Sequence, residues 1–81
     1  MATDTQIDDA VIGYLVTAEG HWRKVAMVVW QAADALGGEL PDGDAGYELV
    51  AKRIEALVAS GRLLAQGDLS RWRHSEVRLP L

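Results

Sequence analysis

The side chains able to do chemistry are few and scattered. Two histidines, His21 and His74, fall in different segments. His74 and Glu76 alternate onto one face of an expected strand and could both touch an ion, but a metal site needs converging ligands and no third is evident. The chain has no cysteine, which removes thiolate metal sites, disulfides and thiol catalysis together. Ser60, Ser70 and Ser75 offer hydroxyls, yet none sits in a nucleophile elbow. Ser75 beside His74 in a strand points to the opposite face, which forbids a direct activating hydrogen bond. The acidic pairs Asp8–Asp9 and Asp42–Asp44 lie at expected helix starts, where carboxylates suit the helix dipole. The glycines near residues 37 and 43 do not follow a phosphate-loop spacing. The expectation is therefore no enzyme, no cofactor and no metal.

The cations are the more informative set. The net charge is −4, but it is unevenly spread. Residues 1–48 hold nine acidic and two basic side chains; residues 49–81 hold three acidic and six basic ones. Those six, Lys52, Arg53, Arg62, Arg71, Arg73 and Arg78, are the candidate contact surface for a protein partner or a nucleic acid. Overall acidity disfavours a free-standing DNA binder, because phosphate contacts supply most of such affinity. An acidic half joined to an arginine- and tryptophan-bearing segment suits recognition of another protein, since both residue types are enriched at interface hot spots.

The elements that must position these residues can be read from periodicity. Eighty-one residues make one domain, here 1–81, with 49% hydrophobic and 25% charged side chains, as in globular chains. No apolar run approaches the roughly 20 residues of a membrane span. The polar, acidic N-terminus is unlike a signal peptide, so a cytoplasmic, monomeric or weakly dimeric protein is expected. Helical spacing predicts a first helix over about 6–16, capped by Thr5 with Asp8 three residues on, its inward stripe including Ile7, Val11, Tyr14 and Leu15. A second helix over about 21–36 carries Trp22, Val25 and Val29 inward, with Trp30 at its margin, and stops at Gly37–Gly38. A third, over about 45–60 and capped by Asp42 or Asp44, turns Val50, Ile54, Leu57 and Val58 inward. After Gly61, residues 62–66 and 71–79 read as two strands joined by a turn within 67–70. In a regular second strand, Arg71, Arg73 and Ser75 share one face and Trp72, His74, Glu76 and Arg78 the other.

Three helices followed by a β-hairpin is an α+β order that resembles a winged helix. The second and third helices would be its helix-turn-helix pair and residues 62–79 its wing, and Ala51 to Leu63 looks like the passage from helix to strand in that fold. The segments His21-Trp22-Arg23-Lys24-Val25, Gln66-Gly67-Asp68-Leu69 and Ser75-Glu76-Val77-Arg78-Leu79 resemble an uncharacterised bacterial family of such domains. There the domain often follows an α/β domain of unknown role, whereas this chain is expected to stand without one. The resemblance implies a fold and a bacterial source, but no activity. Read as a DNA-binding regulator, the chain would use the third helix and the wing. Against that, Glu48 and Glu55 flank Lys52 and Arg53, and the connection over 37–44 is long and carries Glu39, Asp42 and Asp44.

Overall fold

The computed structural model describes residues 1–80. Its order is α1 (Asp4–Thr17), β1 (Arg23–Lys24), α2 (Val25–Leu36), a 3-10 turn (Gly37–Glu39), α3 (Asp44–Ala59), β2 (Leu64–Gln66), a second 3-10 turn (Leu69–His74) and β3 (Glu76–Arg78). The three strands form one antiparallel sheet in the order β1-β3-β2. A helical layer packed on a small three-stranded sheet is a winged-helix-like α+β arrangement, as the sequence led us to expect.

Local chemistry explains most boundaries. The start of α1 is a capping box built on Thr3, two residues earlier than expected. The Gln6 N–H donates to Thr3 Oγ1 at 3.1 Å, and the Thr3 N–H donates back to Gln6 Oε1 at 2.8 Å. Thr5 is therefore not the cap, and Asp8 is buried for another purpose described below. Gly37, at φ 53°, ends α2 in a conformation that glycine adopts without strain. At α3 neither Asp42 nor Asp44 is the cap: Gly43 stands there without a side-chain bond, and Asp44 sits in the first turn. The loop before α3 is drawn tight, for a Cβ on Gly46 would collide with the Pro41 carbonyl oxygen. Leu40 from this loop is buried.

Two segments depart from the expectation. Residues 21–24 do not begin the second helix. Arg23 pairs with Val77 and Lys24 with Glu76 as β1, and the first N–H of α2, from Val25, donates to the Ser75 carbonyl at 2.9 Å. Helical spacing that continued through Trp22 hid this break, because strand pairing with a distant segment overrides local preference. The second expected strand is short as well. Only Glu76–Arg78 forms a strand, while Leu69–His74 coils into the second 3-10 turn. The Asp68 carboxylate starts that turn by accepting from the Ser70 N–H at 2.9 Å and its hydroxyl at 2.7 Å. The alternating faces expected for Arg71 to Glu76 therefore do not exist. The register that does form is Leu64↔Arg78, Ala65↔Val77 and Gln66↔Glu76.

The core is one cluster drawn from every layer. Val11, Leu15, Val25, Val29, Val50, Ile54, Leu57 and Leu63 are buried as expected. Tyr14, Trp22 and Val58 are only half-buried, whereas Val28, Ala32, Trp72 and Val77 join the core. Ile54 is fully enclosed between the helices and the sheet. Ile54→Ala is expected to cost about 2–5 kcal/mol, a large share of the stability of so small a domain. Urea denaturation monitored by tryptophan fluorescence will measure it as a lowered midpoint at unchanged slope.

Candidate functional site

The six candidate cations do not form one surface. Arg53 is withdrawn from solvent contact with a partner. Its Nε and Nη2 donate to Asp8 Oδ1 and Oδ2 at 2.8 and 2.9 Å, a two-pronged fork, and its Nη1 lies 3.4 Å from Asp4. The Asp8 hydrogen bonds, foremost, push the Arg53 guanidinium above its ordinary range; desolvation opposes them and the charges of Asp8 and Asp4 add to them. This cation belongs to the α1–α3 contact. Arg78, in the middle strand, lies with its guanidinium 4.7 Å from the Trp22 ring centre, and its Nε is buried with no hydrogen-bond partner. Arg62 is exposed between α3 and β2.

The remaining three converge. Lys52 on α3 and Arg71 and Arg73 on the second 3-10 turn border a surface groove of about 320 Å³, with Glu48, Glu55 and His74 between them. Arg73 is held in place by stacking 4.2 Å above the Trp72 ring and by an exposed ion pair with Asp44 at 3.7 Å. Trp72 is in turn anchored, its body in the core and its Nε1 donating to Glu48 at 3.2 Å. The groove is thus a mixed-charge rim around a fixed aromatic wall.

A second groove, of about 290 Å³, adjoins the first across Trp72 and Arg73. Ala26, Val29, Trp30 and Tyr47 line it together with the carboxylate-bearing Asp44, and it is the more apolar of the two. Trp30 stands at its rim with 53% of its surface exposed. Neither Trp30 nor Tyr47 was among the expected contact residues. The available signal was Trp30's place at the edge of the helical stripe, where a large indole cannot be fully enclosed by a thin core.

Among the described residues, no group of three His, Asp or Glu side chains is placed to hold a metal ion. His74 borders the charged groove and Glu76 is occupied, its Oε1 accepting from Gln66 Nε2. No helix of the described residues is long and apolar enough to cross a membrane.

A winged-helix-like domain with an aromatic and cationic face is the class these observations define. No family model matches the chain, and no solved structure matches it. It is 34% identical over 83 aligned residues to the uncharacterized protein YjeN of Escherichia coli (strain K12), a match covering 94% of this chain and 73% of that protein. The chain belongs to the family of YjeN.

Two electrostatic predictions follow from this geometry. In double-mutant cycles on thermal or urea unfolding, Asp8→Ala with Arg53→Ala should show clearly larger coupling than Asp4→Ala with Arg53→Ala, because only Asp8 makes the two-pronged contact with a part-buried partner. Asp68 is held below the ordinary carboxylate range by the hydrogen bonds from the Ser70 hydroxyl and N–H. A depressed folded-state pKa contributes stability above the unfolded pKa and loses it as pH falls through the folded one. The stability gap between wild type and Asp68→Ala should therefore be widest near neutrality and close as pH falls below the ordinary aspartate range, about 3.9. Urea midpoints measured across that range will show it.

Proposed function

We propose that the chain is a non-catalytic protein-interaction module, an accessory or regulatory domain that binds its partner through the face built by α2, α3 and the second 3-10 turn. The observation that carries this reading is the half-exposed Trp30 beside a groove walled by Tyr47 and Trp72. An indole held in water next to apolar relief is the kind of feature that anchors protein interfaces. Arg73 stands over the same groove in a fixed pose. The partner expected is a protein segment that places an apolar side chain between Trp30 and Trp72 and a carboxylate against Arg73. Lys52 and Arg71 extend the cationic rim toward that carboxylate.

DNA binding is the competing reading of such a scaffold, and several contacts weigh against it. Arg53 is engaged with Asp8 and Asp4 on α1. Glu48 and Glu55 border the groove on either side of Lys52. Phosphates approaching the start of α3 would meet exposed Asp42 and Asp44.

The reading is tested by affinity capture from the source organism with wild type, Trp30→Ala and the double reversal Arg71→Glu, Arg73→Glu in parallel. A partner retained by wild type should be lost from both variants, with their folds intact, since exposed substitutions usually change stability by no more than about 0.5 kcal/mol. Generic duplex DNA titrated at low salt should show no saturable binding. Micromolar binding that weakens steeply with salt would overturn the proposal in favour of DNA, and unfolding of the double reversal would assign those arginines to structure.

A further inference from the structure

Trp30 stands between two grooves that differ in charge. On the side of Ala26 lies the groove closed by Trp72 and Arg73. On the other side, toward the end of α2, a groove of about 260 Å³ runs between α2 and the loop before α3. Trp30 and Tyr47 wall both grooves. In the second one Asp34 and Asp42 stand beside them, and no lysine, arginine or histidine lines it. Both carboxylates are exposed, and among the described residues neither has an ion-pair partner. Asp34 lies four residues beyond Trp30 on α2, which makes its carboxylate a surface neighbour of the indole.

The shape of this groove is fixed by the fold. The loop that carries Asp42 is anchored by buried Leu40, whose N–H donates to the Gly37 carbonyl at 3.2 Å. The neighbouring Glu39 carbonyl accepts from the Ala2 N–H at 2.7 Å. Gly37 and Gly43 line the groove without side chains, and the space where a Cβ would stand on either is open. Two surface carboxylates alone would be a solvated face. Beside two aromatic rings they become a different feature, because a cation over an indole or a phenol gains from the ring's negative face as well as from the carboxylates. A guanidinium suits both, since its flat face stacks on a ring while its edge donates to a carboxylate.

We propose that this groove receives a basic side chain, best an arginine, from the same partner segment that sets an apolar side chain between Trp30 and Trp72 and a carboxylate against Arg73. The inference rests on the interaction reading above and adds a polarity to it. Arg73 already has Asp44 as an exposed partner, so a partner's carboxylate joins an existing pair there. The Asp34–Asp42 end has no cation of its own, so a partner's charge adds most at that end. Because α2 rises about 1.5 Å per residue, the two grooves together span about 16 Å from the level of Ala26 to that of Gly37. That is about five residues of extended chain. The motif recognised is therefore an apolar residue with an acid about two positions to one side and an arginine about two positions to the other.

The test is selection of short random peptides displayed on phage against the whole domain, followed by titration of the enriched peptides as synthetic probes. Enriched sequences should carry an apolar residue between an acid and an arginine or lysine, and Trp30→Ala should not bind them. Replacing the basic residue of such a peptide by glutamine should weaken binding to wild type by about fivefold. The same replacement should change binding to the Asp34→Asn, Asp42→Asn double variant by less than about twofold, because the groups that recognise the cation are gone. Asp34→Asn alone, on the outer surface of α2, should give an intermediate loss and serves where circular dichroism shows the double variant misfolded. Peptides that need Trp30 but select no basic residue overturn this inference and leave the interaction reading standing, as does a glutamine replacement that costs the same in wild type and variant. If no peptide binds in a Trp30-dependent way, the interaction reading falls and this inference falls with it.

Discussion

Trp72 is the residue on which the arrangement of the C-terminal third depends. A free wing would carry it away from the helices, and a regular strand would leave it beside charged neighbours on an open face. Instead its side chain enters the core, and the chain around it coils to allow that. The Ser75 N–H and hydroxyl both donate to the Trp72 carbonyl, at 3.3 and 3.1 Å, which closes the turn. The Ser75 carbonyl then receives the Val25 N–H and so fixes where α2 begins. Burial of one indole thus couples the wing, the start of α2 and the stacking platform on which Arg73 rests. An aromatic side chain of that size supplies a large apolar area in a domain with little core to spare.

The segregation of charge along the chain has a structural outlet. The acidic first half and the basic second half meet in three dimensions. Arg53 bridges from α3 to Asp8 and Asp4 on α1, and Arg73 reaches from the second 3-10 turn to Asp44 at the start of α3. The two contacts are not equivalent. The first is a fork against a buried carboxylate, where geometry is fixed and water is thin. The second joins two exposed groups and contributes little to stability. The charge asymmetry visible in composition is therefore divided. One arginine is committed to packing α1 on α3, and a smaller set is left facing solvent on the wing side.

How much was legible in the sequence follows from where each signal is local. The three helices, the stop at Gly37, the glycine at residue 61 and the stripe through Val50, Ile54 and Leu57 depend on spacing within one segment, and they were readable. β1 was not, because two residues owe their extended conformation to β3, some fifty positions away, and their own types gave no warning. The Leu69–His74 turn was missed for a related reason. Arg71 to His74 alternate between charged and aromatic types as a strand would, and only the need to enclose Trp72 explains the coil. The candidate cations were singled out by type alone, and Arg53 could not be set apart from Lys52, since that distinction rests on Asp8, forty-five residues upstream, lying against α3.

These contacts bear on how the scaffold should be read for function. In a helix-turn-helix reader, α3 would present its cations outward to phosphate and to base edges. Here the helix turns Arg53 toward its own first helix and shows Lys52 between two glutamates. The aromatic side chains lie on α2, in the first turn of α3 and on the folded-back turn. A surface of this composition gains more from enclosing an apolar side chain than from neutralising a row of phosphates, because burial of Trp30 removes indole surface from water whatever the salt. The scaffold does not decide the partner; the placement of a few side chains on it does. On the reading proposed above, those side chains are Trp30, Tyr47, Trp72 and Arg73. All four are positioned by packing between elements that are far apart in the sequence, so the face exists only when the domain is folded.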